Sequence, residues 1–236
     1  MHIQNPDTDT LCNELDLIAE HLPLQGATLL ELGCGKAQLT RAIVGRFAIN
    51  KLIATEVDTL QHAINLASDH PANIEFRPDG AQAIGLPDNS IDGVFMFKSL
   101  HHVPVGLMLM ALQEIARVLK PGGFAWFAEP VYAGAFNDVL RLFHDEKQVR
   151  EAAFQTICRA VEHGSLTLKQ QIFCKTATHF RDFAEFEQRI IGVTHTRHVL
   201  DANRYQQVQM AFNTHVNAEG AYFENPQRID WLLKPL

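Results

Sequence analysis

An apolar run meets a glycine turn at Thr28-Leu29-Leu30-Glu31-Leu32-Gly33-Cys34-Gly35, residues 28–35. An almost unbroken apolar run is typical of a strand buried on both faces, as in a parallel sheet. Beyond the turn, Leu39, Ile43 and Phe47 recur at helical spacing. This stretch therefore predicts a strand, a glycine turn and an amphipathic helix.

The same alternation continues toward the carboxyl terminus. We predict strands at 52–56, 74–77, 93–97 and 124–128, with helices at 59–68 and 107–119. Pro121-Gly122-Gly123 ends the last helix, because proline lacks a backbone N–H and glycine tolerates positive φ. Parallel neighbours need crossover connections, so the predicted fold class is α/β, a Rossmann-like, doubly wound and mainly parallel seven-stranded sheet.

Three segments flank the core at residues 25–130. Residues 1–24 contain a short amphipathic helix at about 11–22, with Asp9 and Thr10 as candidate caps. Residues 131–218 are predicted to form a mostly helical cap, with helices at 135–163, 182–191 and 203–216. Residues 219–236 are predicted to form an antiparallel edge hairpin around an Asn225-Pro226-Gln227 turn, which completes the sheet.

Composition limits the classes of function. The net charge of −7 supplies no broad basic face, so we expect no nucleic-acid partner. No apolar run reaches the roughly 18 residues that span a bilayer. With no secretory leader and no Cys-x-x-Cys spacing, we expect a cytoplasmic protein with one principal domain and reduced thiols at Cys12, Cys34, Cys158 and Cys174.

The glycine turn lies where a doubly wound sheet binds ligands. Gly33 and Gly35 let the backbone approach a ligand closely, although a bare Gly-x-Gly more often marks a tight turn without one. Glu56 ends the next strand roughly 20 residues later, where an acid can bind ribose hydroxyls. Asp58 is better placed to cap the following helix. These features predict a nucleoside ligand.

A nicotinamide dinucleotide fits this turn less well than a phosphate-free nucleoside does. The last position of Gly-x-Gly-x-x-Gly is Gln38 here, and Glu31 would repel a pyrophosphate. Glu31 can instead accept hydrogen bonds from the ammonium of an amino-acid tail. S-adenosylmethionine, which combines adenosine, a sulfonium and such a tail, is the ligand we expect.

Residues 25–130 resemble the class I S-adenosylmethionine-dependent methyltransferases, especially the small-molecule group that includes quinone-biosynthesis enzymes. The similar motifs follow the family's order at 29–35, 53–58, 81–92, 98–103 and 117–123. Family members often carry Gly-Asp-Ala where this chain has Asp79-Gly80-Ala81. The resemblance implies a donor site formed by Glu31, Gly33, Cys34, Gly35, Glu56, Val57, Asp79, Gly80, Ala81, Lys98 and Ser99.

The implied reaction needs alignment and desolvation of the acceptor rather than a protein nucleophile. A hydroxyl or carbon acceptor would also need a base, and the candidates are Glu129, His101 and His102. Glu129 is preferred because it follows the fifth strand, although a capping or ion-pair role is an equal alternative. Weaker candidates for contact with an acceptor are Tyr132, His144, His195 and His198. No metal site is expected, because adjacent histidines point in different directions and no other ligands follow at zinc spacing.

The acceptor implied by the resemblance is a small molecule that binds in the cap. Apolar residues such as Phe136, Leu140 and Phe143 favour an apolar or aromatic acceptor, although they are equally compatible with core packing. Methylation at oxygen or carbon is favoured, since no Asn-Pro-Pro-Tyr-like motif follows the fourth strand. The alternatives are a catalytically silent S-adenosylmethionine-binding partner or sensor and an NAD-dependent oxidoreductase. No membrane insertion is expected, and a homodimer is left open.

Overall fold

The computed structural model describes residues 1–193, 196 and 198–236. Its core is a parallel sheet in which β1 (Thr28–Leu32), β2 (Lys51–Thr55), β3 (Ile74–Arg77), β4 (Ile91–Phe97) and β5 (Leu119–Pro130) lie in the order β3-β2-β1-β4-β5. β1 pairs with β2 on one side and with β4 on the other. The strand order therefore reverses at β1, which opens a crevice beyond the carboxyl ends of β1 and β4. The α/β fold class is confirmed.

The helices of this half are α1 (Glu14–His21), α2 (Gln38–Arg46), α3 (Thr59–Ala67) and α4 (Val105–Val118). Asp58 caps α3 as predicted, since its side chain accepts hydrogen bonds from the backbone of Leu60 and Gln61. The predicted caps of α1 were wrong. Asn13 fills that position, because the helix begins later than its apolar spacing suggested. No described helix has both the length and the apolar character to cross a bilayer.

The carboxyl-terminal strands differ from the prediction. β8 (Gly220–Leu233) is one long strand between β5 and β6 (Thr167–Phe180), antiparallel to both. The hairpin around Asn225-Pro226-Gln227 was therefore wrong, since these residues continue β8 opposite Thr176, Lys175 and Cys174. The Pro226 carbonyl accepts a hydrogen bond from the Val131 N–H at 2.9 Å, which joins this part of β8 to the end of β5.

The predicted helical cap contains strand β6. Helices α5 (Ala135–Leu140) and α6 (Lys147–Glu162) precede β6. Between β6 and β8 lie α7 (Phe183–Phe186), a π-helical turn (Glu187–Ile191), α8 (Ala202–Asn213) and the short strand β7 (Val216–Asn217). β6 is an edge strand and is mostly exposed or half-buried, so its sequence lacks the apolar pattern of a core strand. The domain boundaries at 24, 130 and 218 remain predictions.

Between β6 and β8, the inserted helices enclose a separate apolar core. We call it the phenylalanine core, and its buried aromatic members are Phe180, Phe183, Phe186, Phe212 and Phe223. Neighbouring rings lie 4.9–6.1 Å apart between centroids, the range of favourable aromatic pairs. The insertion thus has its own packing, apart from the two faces of the sheet.

A disulfide joins Cys12 to Cys174, with the two Cα atoms 5.8 Å apart. The prediction of reduced thiols was wrong for this pair. Two residues separated by 162 positions carry no spacing signal, and the fold brings them together. The Cys12 N–H also donates to the Lys175 carbonyl at 2.9 Å, so the amino-terminal segment is held against β6.

Candidate active site

The glycine turn after β1 requires glycine for two different reasons. Gly33 has a φ of +72°, and a Cβ there would lie 2.8 Å from the Ser99 Cβ. Gly35 has a φ of +52°, but no atom of the described residues lies within 4 Å of the place its Cβ would take. Gly33 is therefore fixed by packing against the β4 end. Gly35 opens onto free space, where a ligand can approach the backbone.

Glu56 is held against this turn by two backbone hydrogen bonds. Its carboxylate accepts from the Gly35 N–H and the Asp58 N–H, each at 2.8 Å. Each oxygen retains acceptor capacity for a ligand hydroxyl. The next apolar side chains, Val57 and Leu60, are 64% and 58% exposed, so an apolar surface lies beside the buried acid.

Glu31 is a second buried acid at the same turn. The Thr40 hydroxyl donates to its carboxylate at 2.5 Å. Burial raises the pKa of Glu31 to about 7; the Thr40 hydrogen bond opposes this rise and the charge of Glu56 adds to it. Glu31 and Gly33 line a cavity of about 150 Å³, which we call the glycine-turn cavity. Its full lining is Glu31, Gly33, Cys34, Lys36, Gln38, Leu39 and Phe97.

The predicted adenine loop follows β3 at the same sheet edge. Asp79 accepts a hydrogen bond from the Gly85 N–H at 3.2 Å, so its carboxylate is engaged within its own loop. Ala81 is buried in the core. The Glu56 N–H donates to the Arg77 carbonyl at 3.0 Å, which ties the start of this loop to the acid after β2.

The end of β4 separates two cavities. Phe97 lines the glycine-turn cavity, and the next residue, Lys98, lines a larger one. Lys98 has a φ of +54°, and its N–H donates to the Ala128 carbonyl at 2.7 Å. The Ser99 hydroxyl donates to the Leu32 carbonyl at 2.7 Å, which binds this bend to β1.

The larger cavity, which we call the histidine cavity, has a volume of about 350 Å³. One part of its lining is polar, with Lys98, His101, His102, His144, Glu146, Arg150 and His198. Another part is apolar, with Phe136, Leu140, Ile190, Val193 and Pro226. It therefore suits an amphipathic small molecule. Of the weaker candidates, His144 and His198 line it and His195 lies outside the described residues.

Glu129 orients His101 from beneath the cavity. Glu129 is buried, accepts from the Leu100 N–H at 2.9 Å and forms a short hydrogen bond with His101 Nδ1. Burial alone would lower the pKa of His101, but the Glu129 charge and hydrogen bond outweigh it and raise that pKa. Among the described residues that line the cavity, His101 and His102 are present and Glu129 is not. Glu129 is thus placed to position His101 rather than to contact an acceptor.

Glu146, at the start of α6, connects the polar groups of the cavity. Its carboxylate lies 2.9 Å from His144 Nε2, 2.6 Å from Arg150 Nη2 and 3.6 Å from His101 Nε2. Together, His101, His102 and Glu146 place possible metal-ligand atoms within 4.8 Å of one another. Sequence spacing missed this grouping, since Glu146 is distant in the chain. Both Glu146 oxygens already have protein partners, and the absence of a metal site stays a prediction.

Three cavity residues were missed by sequence reasoning as candidate site residues. Arg150, Thr176 and Gln227 each line the histidine cavity and each carry a buried polar atom without a partner in the described chain. These atoms are the Arg150 Nε, the Thr176 Oγ1 and the Gln227 Oε1. The residues come from α6, β6 and β8, so no local motif connects them.

Comparison with known proteins shows that the core is similar to methyltransferases. A family model described as a methyltransferase domain matches residues 30–127. The 27-O-demethylrifamycin SV methyltransferase of Amycolatopsis mediterranei is 30% identical over 46% of this chain and 40% of its own length. The ubiquinone/menaquinone biosynthesis C-methyltransferase UbiE of Hahella chejuensis is 36% identical over 42% of this chain and 41% of its own. The chain spans about two fifths of the length of these relatives.

Solved structures share the fold of this chain over a greater length than the sequence matches cover. The YcgJ protein of Bacillus subtilis superimposes with a TM-score of 0.64, at 17% identity, over 94% of this chain and 98% of that chain. This likeness concerns the fold, and it extends beyond the matched motifs into the carboxyl-terminal region.

Proposed function

We propose that this chain is a class I S-adenosylmethionine-dependent methyltransferase and transfers a methyl group from S-adenosylmethionine to a small-molecule acceptor. The observation that carries the proposal is the junction at the end of β4, where Phe97 lines the glycine-turn cavity and Lys98 lines the histidine cavity. A donor and an acceptor in these cavities would meet there. Oxygen or carbon is the favoured receiving atom, as in the O- and C-methyltransferases among the relatives.

The residues of the glycine turn fit the donor. Glu56 would hold the ribose hydroxyls, since its carboxylate is already oriented by two backbone amides. Glu31 would hold the ammonium, and the open space at Gly35 would admit the ligand close to the backbone. Val57 and Leu60 offer exposed apolar surface for the base. When bound, S-adenosylmethionine supplies a methyl group that is already activated on a sulfonium.

On the acceptor side, the chain aligns the acceptor and excludes water. Glu129 fixes the His101 ring, and the apolar lining of the cavity shields the acceptor. His101 can accept a proton from a neutral hydroxyl once the pH exceeds its raised pKa. An acceptor that enters as an anion needs no such base.

Donor binding is tested by calorimetric titration with S-adenosylmethionine, S-adenosylhomocysteine and NAD. We expect binding of the first two and none of NAD. Glu56→Gln should weaken S-adenosylhomocysteine binding by at least about tenfold, because charge-assisted hydrogen bonds to the ribose are lost. Glu20→Gln, at a side chain that is 70% exposed, is the matched control and should change nothing.

Catalysis is tested by release of S-adenosylhomocysteine with a panel of phenols, carboxylic acids and amines. Turnover that falls in Glu129→Gln, with donor binding intact, would support an enzyme with a positioned His101. Donor binding without product from any acceptor would favour a silent binding partner or sensor. Binding of NAD in place of the donor would favour an oxidoreductase.

A further inference from the structure

We infer that the acceptor is an organic anion with an apolar body, a carboxylate or phenolate, and that Lys98 binds its charged oxygen. This inference rests on the proposed function, because it names the acceptor class of the same cavity. It is carried by one juxtaposition, an unpaired ammonium at the junction of the two cavities, beside an apolar lining.

The two arginines that line the described part of the histidine cavity, Arg150 and Arg189, already have carboxylate partners. Arg150 pairs with Glu146 at 2.6 Å, and Arg189 pairs with Glu185 at 3.0 Å. In residues 1–193, 196 and 198–236, the Lys98 ammonium makes no hydrogen bond or ion pair. Burial lowers the pKa of Lys98 and the charge of Arg150 lowers it further, while the charges of Glu14 and Glu129 oppose this without contact. An anion bound beside Lys98 would favour its charged form. Lys98 therefore has its hydrogen-bonding capacity free for a ligand.

The backbone of Lys98 is held in a conformation that lysine seldom adopts. Its φ of +54° lies in the left-handed region, which is strained for a residue other than glycine. The hydrogen bond from the Lys98 N–H to Ala128, together with that from Ser99 to Leu32, holds the bend. Such strain concentrates at binding sites, where it fixes the direction of a functional side chain.

Two further donors are available to an anion in this cavity. The Arg150 Nε–H is buried and has no partner among the described residues, although the rest of the guanidinium binds Glu146, Asn137 and Val131. The Thr176 hydroxyl is also buried and has no partner in the part of the chain that the structure describes. Leaving such groups unsatisfied costs free energy, and a carboxylate or phenolate oxygen would supply the missing acceptor.

Charge balance favours an anion over a neutral acceptor. A cationic donor beside Lys98 would place two positive charges near each other, and an anionic acceptor compensates both. The transfer then balances without a base. The acceptor oxygen forms a bond to the methyl carbon, and the carbon–sulfur bond breaks with its electron pair passing to sulfur. The products are a neutral methyl ester or ether and a neutral thioether.

The test compares binding of octanoate and octanamide to the protein saturated with S-adenosylhomocysteine, measured by calorimetry. The two probes match in shape and differ in charge. We expect octanoate to bind at least tenfold more tightly. Lys98→Met and Lys98→Asn, of which asparagine tolerates positive φ, should each remove that advantage and leave octanamide unchanged. Lys98→Arg should preserve the advantage, and the exposed-site control Lys169→Met should have no effect.

Equal or absent binding of the two probes would overturn the inference, as would an equal loss of both in Lys98→Met. The affinity of each variant for S-adenosylhomocysteine shows whether its donor site is intact. If the wild-type protein does not bind S-adenosylhomocysteine, the proposed function fails. The acid-to-amide ratio, measured on the protein alone, then still decides whether the histidine cavity selects anions.

Discussion

The parallel core at residues 28–130 and the carboxyl-terminal region at 131–236 differ in how each becomes a binding site. In the core, β1 and β2 are buried along nearly their whole length, and the glycine turn lies between nearby elements. In the second region, β6 is mostly exposed or half-buried and pairs with β8 over large sequence separations, from Thr167↔Leu233 to Phe180↔Ala221. The proposed donor site is thus formed by short connections, and the proposed acceptor site by long-range pairing.

Removing a ring from the phenylalanine core tests whether the two regions act separately. Phe212→Ala should lower the free energy of unfolding by about 3–5 kcal/mol, since Phe212 is fully buried among aromatic rings. Urea denaturation measures the loss, and Met210→Ala on the exposed face of α8 is the control. S-adenosylhomocysteine affinity should persist in folded Phe212→Ala. Its loss would show that the donor site depends on the insertion.

The disulfide is a covalent link between the amino-terminal segment and β6. Cys174→Ser should lower the free energy of unfolding by about 2–4 kcal/mol, because the unfolded chain loses its cross-link. Adding dithiothreitol should destabilise the wild-type protein by a similar amount and leave Cys174→Ser unchanged. Cys158→Ser should behave as wild type, since Cys158 is free. A wild-type protein indifferent to the reductant would contradict this prediction.

The pH dependence of donor binding examines the core site alone. Because the pKa of Glu31 is raised from 4.5 to about 7, its contribution to folding stability is full below about pH 4.5 and is lost as the pH rises through about 7. Binding an ammonium requires the charged form, so S-adenosylhomocysteine affinity should fall by about tenfold per pH unit below pH 7. Calorimetry from pH 5.5 to 8 measures this slope. The Glu31→Gln variant should bind S-adenosylhomocysteine weakly, with an affinity that does not depend on pH. A pH-dependent affinity in that variant would mean that a group other than Glu31 causes the effect.

The corresponding pH experiment in the proposed acceptor site measures the titration of His101. Glu129→Gln removes the charge that raises the pKa of His101, so that pKa should fall. In the wild type, the charged pair of His101 and Glu129 contributes fully to folding stability below about pH 6.5. That contribution is lost as the pH rises through the raised pKa of His101. Histidine proton NMR measures both titrations. An unchanged His101 titration would mean that Glu129 does not control it.

The core was predictable because its apolar runs in the sequence are also the segments that are buried in the sheet. Apolar runs marked β1 and β2, and Asp58 marked the start of α3. Glu56 and the glycine turn, predicted to share one site, are joined by the hydrogen bond from the Gly35 N–H. The carboxyl-terminal region was not predictable in this way. Asn225 and Pro226 resembled a turn, whereas pairing with β6 holds them in one strand. The exposed residues of β6 offered no apolar pattern to indicate a strand.

The sequence alone determined the fold class, the glycine turn and the two acids beside it, Glu31 and Glu56, since each depends on neighbours within one strand, turn or helix. Folding in three dimensions supplied the Cys12–Cys174 bond, the place of Glu129 beneath His101 and the union of Arg150, Thr176 and Gln227 around one cavity. The physical reason is that a strand's partner and a cavity's lining are chosen by packing between segments distant in the chain, and such packing leaves no spacing in the sequence.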